Sequence, residues 1–191
     1  TLIHEMSHAL MDQHHDLLSM QHSVEDDDDM ALALSGLIEG EATLCMLAGE
    51  GGKGNEAILR TPPGFMGFYL NLIQPLLSFS GGKGFREAPR ILRETLLFPY
   101  LQGLVFCLSL TAPTGLWSPV DAAFGGPPLS TEQILHPAKY RTDPPLAVSF
   151  PGVAEDLGAG WTEVASNVLG ELQLRILFSE KLPGAEGLRA A

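Results

Sequence analysis

Basic residues are scarce in this chain. Lys and Arg number 11 against 23 Asp and Glu, a formal net charge of -12. Nucleic acid and anionic membrane both repel such a surface, which argues against either as a partner. Cysteine is scarcer still. Cys45 and Cys107 lie in apolar runs, read as buried small residues rather than a disulfide, and leave the compartment open. No run reads as long and apolar enough to cross a membrane. The best candidate, Ile91 to Leu110, carries Arg93 and Glu94 and is broken by Pro99. Period-two alternation is nearly missing, so little sheet is expected, and there are no internal repeats. What remains is 45% hydrophobic and 18% charged, the balance of a packed globular protein, and 191 residues are enough for one core.

The stretch with the most chemistry comes first: Leu2-Ile3-His4-Glu5-Met6-Ser7-His8-Ala9-Leu10. It contains H-E-x-x-H, with apolar residues on both sides and no Pro or Gly inside. On a helix His4 and His8 stand one turn apart on one face, where each can point a nitrogen at the same metal ion. Glu5 is placed to take a proton from a water on that metal. Asp12, one turn past His8, is positioned to orient a ligand imidazole. Thr1 stands almost inside the motif with no initiator Met, so the 191 residues are expected to be a single domain lacking upstream residues.

Helical spacing dominates the remainder. The first helix is expected over 1–19 and a second over about 29–48, after the acidic run Glu25 to Asp29. Asp27 or Asp28 in that run is suited to cap the second helix. A Gly-rich connector covers 49–61. A third helix opens at Pro62 or Pro63, is disturbed by Pro75 and ends near Gly81-Gly82. A fourth covers 87–110, kinked at Pro99, with Leu92, Leu96, Leu97, Tyr100, Leu101 and Leu104 as its core face. Residues 111–151 form a long irregular loop rich in Pro and Gly. Short helices are expected at 119–124 and 130–135, where Ser130 and Gln133 have the form of a capping box, and a short strand at 146–150. A last helix is expected over 161–181 with Val164, Val168, Leu169, Leu172, Ile176 and Leu177 inward. The fold class is mainly α with little sheet.

A catalytic zinc takes three protein ligands and keeps a position for water, and H-E-x-x-H supplies two. His14 and His15 lie too far along a straight helix to complete the set. The second helix offers Glu39 and Glu41, two residues apart and so on different sides. Around Glu39 lie Ser35, Gly36, Ala42 and Thr43, small enough to let the helix approach the first closely. That favours Glu39 as third ligand and leaves Glu41 to support the site from behind or to face solvent.

With these residues the chain resembles the gluzincin metallopeptidases. Glu39-Gly40-x-Ala42 is similar to the E-G-x-A around the third ligand of gluzincin aminopeptidases, and His4 to Asp12 is similar to the active-site helix of thermolysin-like enzymes. The resemblance implies a zincin-like helical domain with His4, His8 and Glu39 as zinc ligands and Glu5 as general base. The place four residues after the ligand Glu, an Asp in thermolysin-like enzymes, is Thr43 here. Further on, Phe98-Pro99-Tyr100, the run Ser130 to Pro137, and Lys139-Tyr140 look like a group of largely uncharacterised bacterial proteins sharing this H-E-x-x-H.

The expected function is zinc-dependent hydrolysis of a peptide bond, with Glu5 activating the water and a peptide or protein as substrate. In gluzincins a Tyr or His from a later segment stabilises the oxyanion. His136 and Tyr140, flanking Pro137 in the irregular region, are the candidates, with Tyr100 behind them. The alternative for His136 is a structural role, and for Tyr100 core packing. Two rival readings stand beside this one. The first is a catalytically inactive helical interaction domain with a structural metal, closed by a fourth ligand such as His15 or Glu41. The second is a hydrolase of a non-peptide amide. The cell envelope or the exterior is favoured over the cytoplasm.

Overall fold

The computed structural model describes residues 2–50, 52, 55–80, 82–148, 150 and 152–181. It is mainly helical, 69% by residue, with no strand among the described residues. Helix α1 spans Leu2–His15 and α2 Leu17–His22. Helix α3 spans Asp28–Glu50, followed by a 3-10 turn at Asn55–Arg60. Then come α4 (Pro63–Ser80), α5 (Gly82–Glu87), α6 (Arg90–Thr111), α7 (Ser118–Asp121) and α8 (Thr131–Leu135). A 3-10 turn at Pro137–Lys139, α9 (Val153–Leu157) and α10 (Glu171–Lys181) complete the chain.

The centre of the molecule is the crossing of α3 and α6. A Cβ built on Gly40 would lie 2.3 Å from the Gly103 carbonyl, and one on Gly103 only 2.0 Å from the Gly36 carbonyl oxygen. Backbone meets backbone there, so the axes come as close as two helices can. Leu34, Leu37, Ile38 and Leu44 of α3 pack with Leu104, Phe106, Cys107 and Leu108 of α6 into the core on either side. Two expectations are corrected at this pair. Both helices are in fact long and apolar enough to cross a membrane by length and composition, although here they form the core. And the core face of α6 is only partly the stripe read from its leucines: Leu104 is buried and Leu101 packs on the core as expected. Leu92, Leu96 and Tyr100 are exposed, whereas Phe98 and Phe106 are buried, because the face is chosen by Gly103 having to meet α3.

The ends of the helices follow local chemistry. Asp27 Oδ1 accepts from Met30 N at 2.8 Å, so the acidic run does cap α3. Ser130 Oγ accepts from Gln133 N, but Gln133 Oε1 takes the Leu129 N–H at 2.8 Å rather than that of Ser130. Helix α1 stops at His15, earlier than expected. Asp16 turns left-handed (φ 48°) and caps α2 by accepting from Ser19 N.

The long loop departs most from expectation. The described residues of 146–150 form no strand, and Leu146, Val148 and Phe150 are exposed: alternation without a partner edge leaves the backbone in water. The last helix begins at Glu171, with Val164, Val168 and Leu169 exposed before it and Leu177 half-covered at best, while Leu172 and Ile176 are buried as expected. The physical cause lies at Asp29. This carboxylate is buried and accepts from both the N–H and the hydroxyl of Thr131, whose Oγ1 in turn accepts from Leu172 N at 3.2 Å. A Cβ on Gly170 would collide with it, 1.6 Å from Oδ1. Thr131 Oγ1, by accepting from Leu172 N, caps the first turn of α10 just past Gly170.

Two outcomes are expected. Gly103→Ala gains about 1 kcal/mol of helix propensity but forces two backbones apart, so a net loss of about 3 kcal/mol in urea unfolding is expected. Gly64→Ala, facing open space in α4, is neutral or slightly stabilising. Burial raises the Asp29 pKa, helped by the charges of Asp27 and Glu132 and opposed by the Thr131 bonds. A carboxyl raised in the folded state contributes stability below the ordinary carboxylate range and loses it as pH rises through the folded value. Stability of wild type relative to Asp29→Asn should therefore be greatest near pH 3.5 and fall by neutrality, the reverse of a salt-bridged carboxylate.

Candidate metal centre

Three ligand-type atoms meet between α1 and α3. His4 Nε2 lies 3.1 Å from Glu39 Oε2, His8 Nε2 lies 3.4 Å from the same oxygen, and the two imidazole nitrogens are 3.1 Å apart. A tetrahedral zinc with bonds of about 2.0–2.1 Å separates its ligands by about 3.3–3.4 Å. The observed triangle is close to one face of that tetrahedron. The donor chemistry also fits. Two imidazole nitrogens and a carboxylate oxygen converging this closely leave a place for one divalent cation that all three can share. The three side chains are 12%, 25% and 23% exposed, so one side of the triangle is open to solvent.

Each side chain is held from its own helix. An uninterrupted α1 sets His4 and His8 one turn apart, with their rings edge-to-face at 4.7 Å. The helix docks on α3 through Ile3, which reaches Gly49 where a Cβ would lie 2.9 Å from its Cδ1, through Ser7 beside Cys45, and through buried Met11. Glu39 stands next to Gly40, at the helix crossing, so its carboxylate is carried by the most tightly fixed part of the backbone.

Tyr100 joins this group from α6. Its ring stacks on His4 with centroids 6.1 Å apart, and its hydroxyl hydrogen-bonds Glu39. Burial, the charges of Glu39 and Glu5, and the bond to Glu39 all raise the phenol pKa. Glu5 is exposed and close enough to Tyr100 for its charge to be felt.

The other expected contributors are placed elsewhere. Asp12 does not orient His8: its Oδ1 accepts from Leu17 N at 3.0 Å and bridges α1 to α2. His136 is held in a cleft beside α10, 3.0 Å from Glu171 Oε1 and next to Arg175. Tyr140 donates its hydroxyl to the Gly126 carbonyl at 2.6 Å and packs edge-on against Phe106. Thr43 is half-buried and makes no hydrogen bond to His4, His8 or Glu39. Glu41 faces the interior toward Cys45, Cys107 and Asp121 rather than solvent. Its Oε2 is buried without a partner, and burial, then the Asp121 charge, pushes its pKa up to about 7. His15 pairs with Asp121 at 3.2 Å and stacks on Phe124. Among the described residues no fourth His, Cys, Asp or Glu joins the triad.

Tyr100, placed behind His136 and Tyr140 from sequence, is the one of the three that lies against the triad. Its signal was positional: it lies one turn before Gly103, on the helix whose glycine had to meet the helix of Glu39. No family model matches the chain, and neither a curated protein nor a solved structure matches it.

Elemental analysis tests the ligand set. About one zinc per chain is expected after reconstitution. It should be lost in Glu39→Gln and kept in Glu41→Gln, whose carboxyl points elsewhere. Loss with Glu41→Gln alone would reassign the third ligand.

Proposed function

We propose that this chain is a zinc-dependent hydrolase of amide bonds, with peptides as its first substrate class. The observation that carries the reading is the open triangle of His4, His8 and Glu39 with Tyr100 stacked over it. Zinc held there supplies Lewis-acid polarisation of a carbonyl oxygen and lowers the pKa of a water molecule.

The chain's own residues do the rest. His4, His8 and Glu39 hold three corners and leave the solvent side for water and substrate. A structural zinc site is closed by four protein ligands, and the three-ligand set, with His15 paired to Asp121 and Glu41 turned into the interior, speaks for the catalytic reading over the interaction domain. Glu5, one residue from His4 and exposed, takes a proton from the attacking water on its carboxylate and passes it to the leaving nitrogen. Burial, then the Glu39 and Glu5 charges, disfavours the phenolate, so Tyr100 keeps an O–H, which bonds Glu39 at rest and is available to turn to the oxyanion. Tyr100 thereby takes the role first assigned to His136 and Tyr140.

One observation supports the second reading, a non-peptide amide. Among the described residues no edge strand is present to pair with an extended peptide.

The test is hydrolysis of fluorogenic peptide pools and of small amides by the zinc-loaded chain. Glu5→Gln should lower kcat/KM by about 10²- to 10⁴-fold with zinc content unchanged. Tyr100→Phe should lower kcat by about 10²-fold with little change in KM. A zinc-loaded wild type that cleaves neither substrate class would sink the proposal.

A further inference from the structure

Helix α4 is apolar on the side that has no partner among the described residues. Met66 and Leu70 point inward and are 8% exposed, and Gly67 backs onto Val105 of α6. A helix buried on one side is expected to be polar on the other. Here the outer face carries Phe65, Phe68, Tyr69 and Leu72, exposed by 64%, 69%, 47% and 68%. Their i, i+3, i+4, i+7 spacing puts them on one stripe. From Thr61 to Gly82 the sequence has not one charged residue.

The charges at its two ends have the opposite sign from the chain as a whole. From Arg60 to Glu94 the cations are Arg60, Lys83, Arg86, Arg90 and Arg93 against the carboxylates Glu87 and Glu94, and Arg90 is paired with Glu94. Arg60 is exposed at the start of α4, and Lys83 and Arg86 are exposed in α5, directly after it. Lys83 and Glu87 stand 3.8 Å apart with both side chains largely in water, so their pairing does little to hold the ammonium. A molecule with net charge -12 thus gathers its positive charge around its most apolar exposed helix.

We infer that the outer face of α4, with Arg60 and the basic α5 at its ends, docks this protein on the surface of an anionic lipid bilayer. Phenylalanine and leucine side chains enter the acyl boundary, a tyrosine sits at headgroup level, and flanking cations meet lipid phosphates. The face carries no charged side chain that would fix the register of a protein partner, which is why lipid is favoured over a second copy. Screening at a Debye length of about 8 Å limits the charge that a lipid headgroup meets to the residues nearest the contact, so a net charge of -12 does not by itself forbid it. The inference rests on α4 and α5 alone and is independent of the metal centre.

The experiment is flotation of the full chain with phosphatidylcholine vesicles, with and without about 30% phosphatidylglycerol. Wild type should float with the anionic vesicles and be released as salt is raised to about 0.5 M. Phe65→Ser with Phe68→Ser should weaken partitioning by about tenfold or more, and Lys83→Glu with Arg86→Glu by a similar factor. Glu39→Gln should bind vesicles like wild type, and far-UV circular dichroism checks that each variant is folded. Wild type remaining in solution with both vesicle types would overturn the inference. So would undiminished binding by the Phe65/Phe68 variant, or a concentration-dependent dimer that this variant abolishes in the absence of any vesicle binding.

Discussion

Everything in this molecule is positioned relative to one steric condition: α3 and α6 touch through glycine. Gly36 and Gly40 stand one turn apart on α3, and Gly103 presses its backbone between them. A side chain at this crossing would push the axes apart by more than a bond length. Packing at organic-crystal density leaves no slack to absorb that. The contact also sets rotation, because only one face of each helix can be bare. With Gly40 turned to α6, Glu39 is turned to α1. With Gly103 turned to α3, Tyr100 comes to His4. The candidate metal centre is a by-product of how two helices fit.

Around this pair, polar ties rather than further core fix the remaining pieces. The Asp29 carboxylate gathers Thr131 and, through it, Leu172, joining the N-termini of three helices that are far apart in sequence. Helix N-termini favour a negative charge, which offsets part of the cost of burying it. The same acidic run that looks like a solvated tail thus divides into a cap, Asp27, and a buried joint, Asp29. Glu41 has no such compensation. It is a buried carboxyl with an unpartnered oxygen beside two thiols, two residues from a candidate ligand, and the fold tolerates it.

The two proposed surfaces lie on different helices. The triad is built from α1 and α3, with Tyr100 of α6 against His4. The apolar stripe lies on α4, whose inner side packs on the same α6. A protein held to a bilayer through α4 would therefore work with its candidate site at a fixed orientation to the membrane, since α6 is common to both.

Local features were fully written in the sequence. A helix period places His4 and His8 on one face whatever surrounds them, and an acidic residue ahead of an apolar run caps it. Ser35, Gly36, Ala42 and Thr43 around Glu39 suggested that α3 lies close to α1, and Glu39 does reach His4, but the closest approach, at Gly36 and Gly40, is to α6 instead. Tertiary structure alone decided the rest, because it depends on meetings between distant segments. Which side of α6 is core follows from Gly103 finding α3, so the stripe of leucines held at Leu101 and Leu104 and failed at Leu92 and Leu96. Where α10 begins follows from Gly170 meeting Asp29 across most of the chain. That Tyr100, and neither His136 nor Tyr140, stands over the triad follows from the α3–α6 crossing. Spacing along a chain determines which residues share a face, but not which face another helix will cover.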